Sequence, residues 1–477
     1  MLDWVSILPH LILAGGGFCI FCIGAFWRPR TAVLLFALSL IAVFLAGAET
    51  ILITPQTPQF LGMLEVQGYG RFFTFLIAVI TFLTLLFSYQ YARLRNMAGD
   101  EFYGLILLAA LGMTLVAGAV HWLTFFLGLE ILSLSLYVLI AIRKGDPRAN
   151  EAALKYFILG AVAGAFLTFG IALIYALTGT LDISKSLSVA APAGSISLIF
   201  LGFSLILAGI GFKISMVPFH LWTPDVYQGA PAPVTAFLST GSKVALFAAL
   251  LRFASYSNNE VWSYLTSVLW ILAALTMGVG TISALAQSRV KRLLAYSSIA
   301  QMGYLLMALL AVKENGTSAI MFYLAAYALM DLGAFGMVAM LSTKETDLDA
   351  LEDYHGLAYI HPWRSAILAL SLISLAGLPP TAGFIGKFAL FWAVLQAQYL
   401  IIAIIGILTA ILSIYFYFKV VVALFMRPAE RAVFIPSVDL ANRFAGGLIL
   451  ILILLLGLVP APLFTVIGKT LPLLRIP

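Results

Sequence analysis

The sequence predicts an all-α, polytopic integral membrane protein of about 14 transmembrane helices, built from two inverted five-helix repeats (spans 4–8 and 9–13) with broken helices 7 and 12. Three observations carry the class. Of 477 residues, 63% are hydrophobic and only 10% charged, against about 25% charged in soluble globular domains. Apolar runs recur about every 30 residues, and most exceed the roughly 18 residues that cross hydrocarbon. The runs are continuous rather than alternating, so each segment must satisfy its own backbone as a helix.

The first run has no basic residue ahead of it, and Arg28 and Arg30 follow it. It reads as a retained helix with its N-terminus outside, not as a cleaved signal. Cys19 and Cys22 are spaced CxxC but sit inside this run with no further thiol in the chain. They read as small lipid- or helix-facing residues rather than metal or redox ligands. Further runs are centred near residues 42, 80, 111, 132, 165, 206, 244, 275, 302, 330, 376, 411 and 450. No polar linker interrupts them. The chain therefore reads as one membrane domain: three N-terminal helices over 1–100, a first repeat over 101–255, a second over 262–425 and a C-terminal helix over 436–477.

Basic residues set the orientation. One set of alternate loops holds Arg28 and Arg30, Arg93 and Arg95, Arg143, Lys144 and Arg148, Arg289, Lys291 and Arg292, Lys344 and Arg364, and Arg427 and Arg431. The other set holds only Arg71, Lys185, Arg252 and Lys313. The first set is expected to face the cytoplasm, which leaves both termini outside. The net charge of +6 thus reports membrane topology, not nucleic-acid binding.

Two spans are interrupted. GFKISMVPFHLWTPDVYQGAPAPV (Gly211 to Val234) carries Lys213 and four prolines, and LAGLPPTAGFIGKF carries Pro379 and Pro380 ahead of Lys387. Proline has no N–H to give the carbonyl four residues back. Pro218 frees the carbonyl of Ile214, and Pro379 that of Leu375. Freed backbone at membrane depth persists only where protein buries it or it lines a wet cavity. The two breaks lie five spans apart, each with a lysine beside it, the pattern of a transporter made of inverted repeats.

The candidate buried charges are Glu130, Lys155, Lys213, Lys243, Asp331 and Lys387. A charge at the bilayer centre costs about 2.5–3.5 kcal/mol on insertion scales, so each needs a reason. Glu130 lies near the middle of span five, beyond the reach of snorkelling. Lys155 lies in the first turns of span six, where it can snorkel or pair with Glu130. Lysine suits proton relay because desolvation lowers its pKa and a neighbouring carboxylate raises it again, whereas arginine stays protonated. A row of Glu130, Lys213, Lys243 and Lys387, with His220 between, makes a switchable proton path. His220 fits equally as an interfacial cap of the broken helix. Asp331 receives no role. The sequence holds no cysteine cluster, no histidine pair at haem spacing and no GxGxxG after a strand. Any electrons are expected in another subunit, and Gly278 and Gly280 read as helix-packing residues.

Three stretches carry a family resemblance: GFKISMVPFHLWTPDVYQGAPAPV, VKRLLAYSSIAQMGY (Val290 to Tyr304) and SLAGLPPTAGFIGKF (Ser374 to Phe388). They resemble the antiporter-like membrane subunits of respiratory complex I, the proton-pumping NADH:quinone oxidoreductase. The chain is most similar to the N-type, called subunit 2 in mitochondria. Lys387 stands where the M-type relative has a glutamate, the chain ends soon after span fourteen, without the L-type's lateral helix, and fourteen spans suggest a bacterial or plastid-like form. The resemblance implies that Glu130 is the span-five glutamate and Lys155 its partner. It implies that Lys213 is the lysine beside the first break, Lys243 the bridging lysine of span eight and Lys387 the terminal lysine. It implies a bacterial inner-membrane location. It also implies partners: M-type and other sister subunits, small helical subunits, and a hydrophilic arm carrying flavin and iron–sulfur clusters, with quinone bound elsewhere. The alternative is a subunit of a multi-subunit cation/proton antiporter. A third reading, a structural scaffold, is disfavoured because buried charges would only weaken it.

Overall fold

The computed structural model describes residues 4–27, 32–55, 57–188, 196–257, 259–428, 435–437 and 439–471. Arg28, Arg30 and Arg431 lie outside them. The chain begins with α1 (Leu8–Trp27) and α2 (Ala32–Leu52), followed by a small antiparallel hairpin, β1 (Gln59–Phe60) and β2 (Leu64–Glu65). Then come α3 (Gly68–Leu94), α4 (Asp100–Gly118), α5 (Trp122–Ile140), α6 (Pro147–Thr178), α7 (Ile183–Ser188), α8 (Ile196–Lys213), α9 (Trp222–Gly229), α10 (Ala232–Phe237) and α11 (Lys243–Tyr256). The rest comprises α12 (Asn259–Leu285), α13 (Val290–Leu309), α14 (Thr317–Met340), α15 (Leu357–Ile360), α16 (Pro362–Ala376), α17 (Ala382–Gln396), α18 (Leu400–Met426), α19 (Leu440–Leu458) and α20 (Ala461–Thr470).

Among the described residues, eleven helices are long and apolar enough to cross a membrane. Three shorter apolar helices, Ser197–Lys213, Pro362–Ala376 and Ala382–Gln396, flank the two predicted breaks. The 20-residue α13 owes its lower hydropathy to Lys291, Arg292, Ser297, Ser298 and Gln301. Within Ala232–Tyr256 and Thr317–Met340 an 18-residue stretch is wholly buried, and these two helices form the centre of the bundle. Helices such as α6, α12 and α19 present much of their surface outward, as lipid-facing or partner-facing helices must.

Local chemistry sets the ends. Asp146 caps α6 by accepting from the backbone N–H of Arg148 and Ala149, with Pro147 in the first turn, where a missing N–H costs nothing. Asp439 caps α19 through the N–H of Asn442. Gly280 does pack as expected: a Cβ there would lie 2.6 Å from the backbone nitrogen of Ala300, so α12 and α13 touch through their backbones. Gly278 faces open space, and packing does not account for it.

Side chains and backbone pair several polar groups at each break. α8 stops at Lys213; the carbonyl of Phe212 then accepts from Trp222 Nε1 at 2.9 Å, and Val217 N–H donates to Thr276 Oγ1 at 3.1 Å. α16 ends on Gly377 at φ +84°, a left-handed position that suits glycine. The carbonyl of Leu375 accepts from Gln301 Nε2 at 3.1 Å, and that of Ala376 from Lys387 Nζ at 3.2 Å. The Val217–Pro218 and Pro379–Pro380 bonds are cis.

Several basic residues counted as loop residues are buried instead. Arg252 lies within α11, fully buried, paired with Glu65 Oε2 at 2.7 Å and donating to the carbonyls of Gly118 and Ala119. Lys291 lies in the first turn of α13 and meets Asp347 at 2.9 Å and the carbonyl of Ala230 at 2.6 Å. Arg364 donates from α16 to the carbonyls of Met340 and Pro436. In each case helix-end carbonyls or a carboxylate pull the cation inward.

Candidate functional site

Three lysines lie inside the bundle, each close to a helix break or distortion. Lys213 is the last residue of α8. Lys243 follows a π-helical turn, Leu238–Ser242, of the kind that often marks functional sites. Lys387 lies in α17, six residues past Thr381, the residue that ends the second break. Their exposures are 4%, 0% and 4%.

All three ammonium groups bind neutral oxygens. Lys213 Nζ donates to Ser133 Oγ at 2.7 Å and to the Tyr137 hydroxyl at 3.3 Å. Lys243 Nζ donates to Ser298 Oγ at 2.5 Å. Lys387 Nζ donates to the Ala376 carbonyl. Each also faces a tyrosine ring: Tyr156 at 5.0 Å from Lys213, Tyr227 at 5.4 Å from Lys243 and Tyr304 at 5.1 Å from Lys387. None of the three forms an ion pair with a carboxylate among the described residues.

Glu130 sits half-buried in α5, one turn from Ser133 and two from Tyr137. These positions, i, i+3 and i+7, share one helix face. Glu130 is the carboxylate whose charge reaches Lys213, with Ser133 and Tyr137 as the direct contacts. Lys155 does not pair with Glu130. It meets Glu151 at 2.6 Å and Asp225 at 2.9 Å, and its side chain is 42% exposed. The first turns of α6 place it at the mouth of an open cavity of about 390 Å³, lined by Arg148, Glu151, Asp225, Gln228, Arg289 and Arg292 among others. A solvated carboxylate on α9 is nearer than a half-buried one in α5. Burial alone would raise the pKa of Asp225, but hydrogen bonds from Lys155 and Arg292 outweigh it and hold the carboxyl below its usual value. His220 lies in the turn between α8 and α9 and bonds within that turn, to the backbone of Pro218. It hydrogen-bonds none of the lysines among the described residues.

The spaces between the lysines are filled differently. Between Lys213 and Lys243 stand aromatic rings: Tyr156 and Trp222 with centroids 4.6 Å apart, and Trp222 and Tyr227 at 6.2 Å. Between Lys243 and Lys387 lies a polar network on α13. Ser298 bonds Tyr327 at 2.6 Å. Gln301 binds the Tyr417 hydroxyl at 3.0 Å and the Leu375 carbonyl, and accepts from the Tyr323 hydroxyl. Ser297 bonds Tyr417. Hydroxyl and amide groups of this kind can exchange protons by short hops, whereas the tilted and edge-on rings between Lys213 and Lys243 form no hydrogen-bonded path among the described residues.

Sequence reasoning missed Ser133, Tyr137, Ser297, Ser298, Gln301, Tyr323 and Tyr327 as members of the site. A signal was available: Tyr323, Tyr327 and Asp331 recur at i, i+4 and i+8, a polar stripe in a helix that is otherwise apolar.

This fold, with its row of buried lysines at helix breaks, has known counterparts. Residues 119–413 match the family model described as NADH:quinone oxidoreductase/Mrp antiporter, TM. The NADH-quinone oxidoreductase subunit N 1 of Solidesulfovibrio magneticus is 48% identical, over 94% of this chain and 93% of that relative. A chain of respiratory complex I from Thermus thermophilus, solved with bound aureothin, superposes with a TM-score of 0.83 at 36% identity, covering 96% of this chain and 98% of that one. A chain of the Mrp complex from Dietzia sp. DQ12-45-1b shares the fold, with a TM-score of 0.83 at 20% identity over 99% and 97%. The chain belongs to the NADH:quinone oxidoreductase/Mrp antiporter transmembrane family, and within it to the N-type, antiporter-like subunits of complex I.

Proposed function

We propose that this chain is a proton-translocating subunit of the membrane arm of an NADH:quinone oxidoreductase, and that Glu130, Lys155, Lys213, Lys243 and Lys387 carry the protons. The observation behind the relay is that three lysines are buried without an ion-paired carboxylate and are held by hydroxyl and carbonyl oxygens. Burial of an unpaired ammonium is expensive, so small changes in nearby charge move its proton on or off.

In this reading, quinone reduction in a partner subunit shifts charge at one end of the row. Glu130 passes the shift to Lys213, the charge of Lys213 acts on Lys243 across the ring-filled gap, and the α13 network carries the proton of Lys243 towards Lys387. Lys155, with Asp225, gathers protons at the open cavity. His220 serves as a polar group of the first break beside that path. Flavin, iron–sulfur clusters and quinone reside in partner subunits: a hydrophilic redox arm, an M-type sister and small helical chains. The chain spans a bacterial inner membrane about fourteen times with both termini periplasmic. α4–α11 and α12–α18 form the two inverted repeats, each with a lysine beside its break.

The test is Lys213→Ala in the assembled complex. Proton pumping and coupled quinone reduction should fall at least tenfold while the complex still assembles. Pumping at the native rate in an assembled complex would end the relay reading. The alternative, a cation/proton antiporter subunit, shares the fold. Affinity purification of the chain with its partners separates the two: co-purifying flavin and iron–sulfur absorbance supports the first, and cation/proton exchange without them supports the second.

A further inference from the structure

Asp331 is fully buried in the centre of α14, and the relay just described does not use it. Its Oδ2 accepts from Ser239, and its Oδ1 has no hydrogen-bond partner among the described residues. Lys243 is equally buried, and its charge reaches Asp331, yet no direct ion pair joins them. Hydroxyls stand between. Lys243 Nζ donates to Ser298 Oγ at 2.5 Å, Ser298 meets Tyr327 at 2.6 Å, and Tyr327 donates to the Ser239 carbonyl at 3.1 Å while facing the Asp331 carboxylate. Tyr227, whose ring lies 5.4 Å from Lys243 Nζ, is buried beside the same Ser298. Among the described residues, the ionisable side chains around this pocket are Lys243, Asp331, Tyr227 and Tyr327, with Tyr417 beyond them.

Two opposite charges buried together without contact have two low-energy arrangements, both charged or both neutral, and one proton separates them. We propose that Asp331 is the counter-charge of Lys243 and a proton-holding station of the relay, reached through Ser298 and Tyr327. This rests on the relay reading given above. The step balances. An N–H bond of the Lys243 ammonium breaks as an O–H bond forms on Ser298, each hydroxyl hands on a proton as it receives one, and an O–H bond forms on Asp331. Lysine ends as a neutral amine and aspartate as a neutral acid. Ser298 and Tyr327 end unchanged, and nothing is oxidised or reduced. Neutralising the pair removes the positive charge facing Lys387, and re-forming it restores that charge.

The test uses the assembled oxidoreductase in lipid vesicles, with NADH oxidation and dye-reported proton uptake measured together. Asp331→Asn should lower protons pumped per NADH at least fivefold, Asp331→Glu should recover most of the loss, and Lys243→Gln with Asp331→Asn should be no worse than Lys243→Gln alone. The infrared difference spectrum between resting and turning-over complex should lose a protonated-carboxyl band in Asp331→Asn. Native pumping in Asp331→Asn alongside a pumping-deficient Lys243→Gln would overturn this inference and leave the relay standing. Native pumping in an assembled Lys243→Gln would overturn the relay itself. Should Asp331→Asn fail to assemble, Tyr327→Phe decides. It keeps both charges and removes the link, so a several-fold loss of pumping supports the station and native pumping refutes it.

Discussion

The buried cations of this protein fall into two groups that differ in what holds them. At the ends of the bundle, Arg252 is clamped to Glu65, and Arg95 and Lys291 share Asp347 at 2.5 and 2.9 Å. In the middle, Lys213, Lys243 and Lys387 meet only hydroxyls and a carbonyl. A buried cation with a carboxylate in contact is fixed in charge and position. One held by neutral oxygens keeps its geometry when it loses a proton. The ends lock the bundle together, and the middle cations have no such clamp among the described residues.

Four experiments set this contrast at risk. The largest effect is expected for Arg252→Met, which strands Glu65 as a buried, unpaired carboxylate. The complex should lose about 3–5 kcal/mol of stability, read from thermal inactivation or from its yield. A variant as stable as the native complex would remove the distinction.

Asp347 comes next. Burial would raise its pKa, but Lys291 and Arg95 outweigh burial and hold its carboxyl well below the usual carboxylate range. A depressed folded value means that its stabilising contribution is full above the unfolded pKa, about 3.9, and disappears as pH falls through the folded value. Acidification below about pH 4 should therefore destabilise the native complex more steeply than Asp347→Asn, which already lacks the contribution at neutral pH. Parallel pH curves would mean that Asp347 is not the clamp.

Lys387→Met probes the middle. Removing a buried charge that has no paired carboxylate should leave stability unchanged or raise it by about 1 kcal/mol, while pumping is lost. A loss of stability as large as that of Arg252→Met would place Lys387 with the structural cations. The smallest effect is expected for Asp225→Asn. Its pairs with Lys155 and Arg292 are largely solvated, with side chains 28% to 42% exposed, so the stability change should stay below about 1 kcal/mol. Any effect on pumping would then report proton entry rather than folding.

The fold was readable because lipid permits so few backbone solutions. Hydropathy located the spans, and proline with lysine located both breaks. The lysines of the site stood out as costly charges in apolar runs. Their ligands did not, because serine and tyrosine are ordinary residues in a membrane helix and become notable only when their helical register is compared. Lys155 shows the limit on pairing. Which carboxylate it takes depends on the short α9, which returns across α6, and no local pattern encodes that return. Arg252 and Lys291 misled a count of loop charges because each lies within a turn or two of a helix end, where a long side chain can turn inward as readily as outward.

The end of α16 has one more implication. Its last carbonyl, that of Ala376, accepts from Lys387, and the aligned peptides behind it present roughly half a negative charge. Glu130 and Asp331 can be neutralised by a proton or deleted by a codon change. The backbone of α16 can suffer neither. The terminal lysine is therefore matched to an electrostatic partner that does not titrate and that no side-chain substitution abolishes, so a mutational scan of its surroundings should uncover no acidic residue on which it depends.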